Sequence, residues 1–304
     1  MPRHFLTDFD FSADEIHKLF ERTHWLKREQ KARRPHRSLE GKTLGMVFEK
    51  SSTRTRVSFE VGMYQLGGHA LNLTTQASQL GRGETYEDTA RVLSRYVDGI
   101  MMRTFEQERI ERLASASSVP VINGLSDLVH PCQILTDIFT VIEHQKDIRN
   151  QKVVYVGDGN NIAHSWIHAA MILEFELRIA TPKGFEVHSS VLENVKKKNA
   201  SHIFITNDPR EAVRGATVIN TDTWVSMGQE GAGEAEKKRV FQPYQVNVNL
   251  MALADKKAIV LHCLPAHRGE EITDDVMDGA QSRIFDQAEN RLHVQKAILE
   301  KLMM

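Results

Sequence analysis

A chain of 304 residues that is 41% hydrophobic and 26% charged is long enough to bury two compact cores. Its 39 Lys and Arg offset 40 Asp and Glu, which argues against the broad basic footprint of a nucleic-acid-binding protein and against an acidic tail, so basic character must be local. No apolar run approaches the roughly 18 residues of a membrane span, Met1-Pro2-Arg3-His4-Phe5 opens without an apolar signal core, and Cys132 and Cys263 form no paired framework; a cytoplasmic protein is expected.

In chain order, short apolar runs alternate with amphipathic stretches. Strands are predicted at 43–48, 69–73, 99–102 and 120–122. A helix follows over 131–145, where Ile134, Leu135, Ile138, Val141 and Ile142 recur at helical spacing. Further strands are predicted at 152–156, 177–180, 202–206, 217–220, 258–261 and 283–285, and a last helix at 292–302. Strands separated by helices require crossover connections, so the predicted class is α/β: two doubly wound parallel-sheet lobes joined by helices. The expected division is 1–145 and 146–289, with the C-terminal helix, 290–304, packing back onto the first lobe.

Ser52-Thr53-Arg54-Thr55-Arg56 stands where the strand at 43–48 gives way to a helix marked by Phe59, Met63 and Leu66 and stopped by Gly67-Gly68. Free backbone N–H groups at a helix start favour an anion, and arginine forks grip two phosphate oxygens together. Taken alone, the run also reads as a cap followed by solvated arginines. Other unusual polar motifs fall at predicted strand ends: Arg103-Thr104, Gly157-Asp158-Gly159-Asn160-Asn161, Asp222 to Gly228, and His262-Cys263-Leu264-Pro265, with Arg268-Gly269-Glu270-Glu271 soon after. His130-Pro131-Cys132-Gln133 opens the helix over 131–145. Ligands of open α/β sheets bind beyond the carboxyl ends of the strands, so the set predicts an active site in a cleft between the lobes. Singly, His130 is also a helix start, Asp222 a turn acid, Cys263 a small buried hydrophobe, Arg103 a surface charge and Asn161 a helix cap.

Two rival chemistries are weak. A dinucleotide fingerprint wants a glycine where Ile162 stands and an acid where Ala180-Thr181-Pro182 follows the next strand. A zinc site at His262, Cys263 and His267 lacks a second ligand pair.

Read together, Ser52-Thr53-Arg54-Thr55-Arg56 and His130-Pro131-Cys132-Gln133 resemble the carbamoyl phosphate site of the aspartate/ornithine carbamoyltransferase family. Asp222-Thr223-Trp224-Val225-Ser226-Met227-Gly228 and His262-Cys263-Leu264-Pro265-Ala266 resemble the motifs of its ornithine-specific branch, and the likeness spans nearly the whole chain. The resemblance implies transfer of a carbamoyl group from carbamoyl phosphate to the δ-amine of L-ornithine, giving L-citrulline and phosphate, in arginine metabolism. Ser52, Thr53, Arg54 and Thr55 would grip the phosphate with Arg103, and Gln79 would complete that site from a neighbouring subunit of a homotrimer. Arg103, His130 and Thr55 would direct donors at the carbonyl oxygen, and Gln133, with Arg291 nearby, would orient the carbamoyl amide. Asp222 and Ser226 would take the α-amine, Asn161 and the Met227 N–H the α-carboxylate, and Cys263 and the Leu264 carbonyl the δ-amine. The loop at Ser226-Met227-Gly228 is a candidate lid. No metal or organic cofactor is implied, since the leaving phosphate supplies the activation, and neither nucleic acid nor a membrane is an expected partner. A catalytically silent relative is the remaining rival.

Overall fold

The computed structural model describes residues 2–74, 80, 83–225 and 233–304. Gln79, Ser226 and Met227 therefore lie outside the described residues, as does the candidate lid. The chain divides into two compact units: Met1–Thr136 with Glu289–Met304, and Asp137–Ala288.

The first unit begins with α1 (Ala13–Lys31), held at its start by Ser12 and Glu15, each of whose side chains accepts a backbone N–H of the other. Then come β1 (Thr43–Phe48), α2 (Thr53–Gln65), β2 (His69–Thr74), α3 (Tyr86–Leu93), β3 (Gly99–Arg103), α4 (Gln107–Ala116), β4 (Val121–Leu125) and the opening of α5 (Pro131–Gln145). The four strands are parallel in the order β2-β1-β3-β4. β1 and β3 are inner strands and read as nearly continuous apolar runs, as covered parallel strands must. Val47, Ile100, Met102, Ile110, Leu113 and Val121 share one core. The chain leaves β1 for β2 on one side and reaches β3 on the other, so the switch of direction lies between β1 and β3. α2 ends in a left-handed Gly67 (φ +84°), with Gly67 N–H donating to Tyr64 O at 3.1 Å and Gly68 N–H to Met63 O at 2.8 Å. That pairing satisfies helix-end carbonyls and turns the chain into β2.

The second unit contains β5 (Lys152–Val156), α6 (Asn161–Leu173), β6 (Glu176–Ala180), α7 (Ser189–Lys197), β7 (Ile203–Thr206), α8 (Pro209–Val213), β8 (Val218–Thr221), α9 (Glu234–Phe241), α10 (Val248–Met251), β9 (Ile259–His262), α11 (Asp274–Met277) and the start of α12 (Ile284–Met303). Its sheet is again parallel, β7-β6-β5-β8-β9, with the switch between β5 and β8. Val154, Val156, Ile219, Val246, Val260 and Ile284 lie in one core on this sheet.

The strand predicted at 283–285 does not form. Those residues run into α12, where Ile284 is buried and Phe285 is 63% exposed. The three-residue apolar pattern fits either period, and the helix wins because Val294, Ala297 and Ile298 continue its buried stripe.

Candidate active site

In the first unit the switch point collects the cations. Ser52 caps α2: its hydroxyl accepts the Thr55 N–H at 3.2 Å and donates to Thr55 Oγ1 at 3.1 Å. Thr53 is exposed and Arg54 half-buried in the first turn, while Thr55 is fully buried. Arg103 closes β3 at a register shift between Met102 and Arg103, the kind of bulge that re-aims a side chain. Its Nη1 reaches Thr55 Oγ1 at 3.3 Å. Arg291, on α12 and only 4% exposed, donates from Nη2 to the same oxygen at 3.0 Å and from Nη1 to Gln133 Oε1. Thus Thr55, Arg103, Gln133 and Arg291, predicted from separate parts of the sequence, form one hydrogen-bonded cluster.

His130 is buried beside them. Burial, then the charges of Arg291, Arg103 and Lys50, hold its imidazole pKa well below the usual range, so the ring is neutral at physiological pH. Lys50 was not among the predicted site residues. It is 9% exposed, donates to Asp127 Oδ1 at 3.3 Å and lies 5.4 Å over the Phe105 ring, completing a cationic set with the two arginines. Its sequence signal is a lysine between the end of β1 and the Ser/Thr/Arg run. Cys132 is structural: its thiol donates to the Asn123 carbonyl, and burial pushes its pKa up to about 12.

In the second unit, three strand ends meet. Asp222 follows β8 and is 8% exposed. Its Oδ1 accepts the Cys263 thiol at 3.0 Å, and its Oδ2 accepts Asn160 Nδ2 at 2.9 Å. Asn160, not Asn161, caps α6, accepting the N–H groups of Ile162 and Ala163 through Oδ1. Asn161 is the first helical residue. Asn160 therefore ties the loop after β5 to the acid after β8, a connection that spacing alone does not reveal.

His262 sets the turn that carries Cys263 and Leu264. Its Nε2–H donates to Glu271 Oε1 at 3.1 Å, and its Nδ1 accepts the Leu264 N–H at 2.9 Å. Its own N–H donates to Gln287 Oε1 at 2.8 Å, and Gln287 donates to Asp137. Leu264 is held at φ +62°, a conformation L-residues adopt at a cost. Among the described residues, Asp222, His262 and Cys263 are close enough to share an ion, as are His267, Glu270 and Glu271. In the first group both His262 ring nitrogens are already committed, leaving no lone pair for an ion.

The two clusters, one in each unit, suit two different ligands. The first is cationic with a neutral imidazole, fit for a phosphorylated carbonyl compound. The second offers a carboxylate, a thiol and amide groups, fit for an amino acid. Residues 3–143 match the family described as aspartate/ornithine carbamoyltransferase, carbamoyl-P binding domain, and residues 149–302 match its Asp/Orn binding domain. The ornithine carbamoyltransferase of Syntrophotalea carbinolica is 56% identical over 303 residues, covering 100% of both chains. Among solved structures, the ornithine carbamoyltransferase from Pyrococcus furiosus is 51% identical with a TM-score of 0.95, covering 99% of this chain and 97% of that one. The one from Burkholderia thailandensis is 48% identical with a TM-score of 0.91 and 99% coverage of each. With matches to both family domains and full-length identity of this order, the chain belongs to the aspartate/ornithine carbamoyltransferase family.

Proposed function

We propose that the chain carbamoylates the δ-amine of L-ornithine, using carbamoyl phosphate and releasing L-citrulline and phosphate. The observation that carries this is the convergence of Arg103 and Arg291 on Thr55 beside a neutral His130. Cations neutralise a phosphate there, and a neutral imidazole can donate its one N–H to a carbonyl oxygen. Arg103, His130 and Thr55 stabilise the oxyanion as the amine attacks, Gln133 and Arg291 hold the carbamoyl amide, and Ser52, Thr53, Arg54 and Lys50 hold the phosphate.

The acceptor amine must attack uncharged, although an alkylamine in water has a pKa of about 10.4. Cys263 and the Leu264 carbonyl receive its hydrogens, Asp222 takes the α-ammonium, and Asn161 the α-carboxylate. Holding both substrates in register is the main catalytic work. A homotrimer belongs to the same proposal. Its support is the edge position of β2 and a groove of about 910 Å³ along α2 and β2, where Val57 and Tyr64 stand 50% and 81% exposed.

The test is citrulline formation from carbamoyl phosphate, with L-ornithine, putrescine, N-acetylornithine and L-aspartate as competing acceptors and Cys263→Ala as control. Strong preference for ornithine is the expected result. Preference for another acceptor keeps the phosphate half and overturns the acceptor half; absence of turnover overturns the enzyme assignment.

A further inference from the structure

We propose that Lys237 is a positioning residue for the amino-acid acceptor, acting through Asp158 to fix the loop 157–161 and to leave Asp222 as the acid that meets the α-ammonium. The inference rests on the ornithine assignment and extends it to a residue outside the recognition motifs.

Lys237 lies on α9, and its Nζ is 2.7 Å from Asp158 Oδ2, with the two side chains only 15% and 13% exposed. The ammonium also lies 5.3 Å from the centre of the Phe185 ring and 5.5 Å from that of Phe241. Among the described residues, two aromatic faces and one carboxylate flank it, a setting in which a cation is held by charge and by ring quadrupoles together. Next to Asp158, Gly159 donates its N–H to Phe185 O at 2.9 Å. A Cβ on Gly159 would stand 2.3 to 2.5 Å from backbone atoms of Glu186 and Val187, so the loop is pressed against that segment with no room for adjustment. Clamped on one side by 185–187 and on the other by Lys237, the loop delivers Asn160 to Asp222, and Asp222 in turn to Cys263.

Charge makes the same point independently. Asp158 is mostly buried, and burial raises its carboxyl pKa, with Asp222 adding to the rise and Lys237 opposing it. Without Lys237, two nearby acids would face one ammonium, and the buried carboxylate would either take up a proton or turn away from its loop. With Lys237 in place the charge of Asp158 is balanced, and of these two acids Asp222 is left to meet the acceptor.

Steady-state kinetics of Lys237→Met, Lys237→Arg and Asp158→Asn, with calorimetric binding of carbamoyl phosphate alone, test the assignment. Lys237→Met and Asp158→Asn are expected to raise the KM for ornithine about 10- to 100-fold, the penalty of a slightly misplaced binding group. The carbamoyl phosphate Kd should stay within about twofold and kcat at saturating ornithine should largely persist, a split that general destabilisation does not produce. Lys237→Arg should recover most of the ornithine affinity. Asp158→Asn preserves the side-chain shape and serves if Lys237→Met does not fold. An unchanged ornithine KM in Asp158→Asn, or equal loss of both substrates without recovery by arginine, overturns the proposal. A wild-type protein that does not carbamoylate ornithine overturns the functional assignment itself, and this inference with it.

Discussion

Thr55 takes three donors on one hydroxyl oxygen, from Ser52, Arg103 and Arg291. A neutral hydroxyl is a poor terminus for two guanidiniums, and this convergence is the geometry an anion would relieve. Thr55→Val keeps the shape and removes the acceptor. It is expected to cost about 1–3 kcal/mol in thermal unfolding through the donors it strands. The same substitution should weaken carbamoyl phosphate binding by calorimetry. His130 gives a pH signature. Its folded-state pKa is depressed, so below about pH 6.5 the unfolded chain takes up a proton that the fold refuses. Stability is therefore full above that pH and declines beneath it, with a slope approaching about 1.4 kcal/mol per pH unit. Denaturant titrations between pH 5 and 8 should show this decline in the wild type and a shallower one in His130→Gln. Asn160 separates capping from charge: Asn160→Ala should lose about 1 kcal/mol of stability. Asn160→Asp should keep the cap yet raise the ornithine KM, because it sets a second carboxylate against Asp222. The family resemblance placed Thr55, Arg103, His130 and Arg291 in one expected site, but neither the bonds that converge on Thr55 nor the tie from Asn160 to Asp222 was legible in the sequence. Arg103, His130, Asp222 and Cys263 stand in distinctive motifs, and Asn160 lies in one without its role being marked, whereas Lys50 and Lys237 gain their meaning only from neighbours the fold supplies.

Among elements, the strands were the most legible, because a parallel strand covered on both faces is a short apolar run between turn residues. β1 and β5 follow the expected bounds, and α5 coincides with the helix expected over 131–145. The segment at 283–285 misled because Ile284 and Phe285 fit a strand as well as a helix over so few residues, and only the longer stripe of α12 decides. The bulge at Arg103 was invisible, since register is a property of the strand pair. The loop after β5 carries a sharp prediction of its own. Gly159→Ala places a methyl against the Glu186 and Val187 backbone, which cannot rotate aside as a side chain can. Its expected cost is about 1–3 kcal/mol or more, read as a lowered midpoint in thermal unfolding. Gly184→Ala has open space but a φ of +85°, so it isolates the cost of the left-handed backbone from that of collision.

At the scale of the whole molecule, two parallel sheets of different strand order each place their polar motifs at a switch of chain direction. That arrangement follows from α/β topology and explains why Thr55 after β1 and Arg103 at the end of β3 meet, while Arg291 joins them because α12 returns to the first unit. The exposed α2 face carries the prediction for assembly. If three copies associate there, Tyr64→Glu with Val57→Asp should reduce the sedimenting mass about threefold, whereas a wild type that already sediments as a monomer refutes the trimer. His262 has a spectroscopic consequence. An imidazole whose Nε2–H is enclosed with Glu271 and whose Nδ1 is occupied by the Leu264 amide exchanges that proton with solvent only when the turn opens. It should therefore give a sharp, downfield proton resonance in NMR, and its exchange lifetime would report the opening of the Cys263 turn without any label.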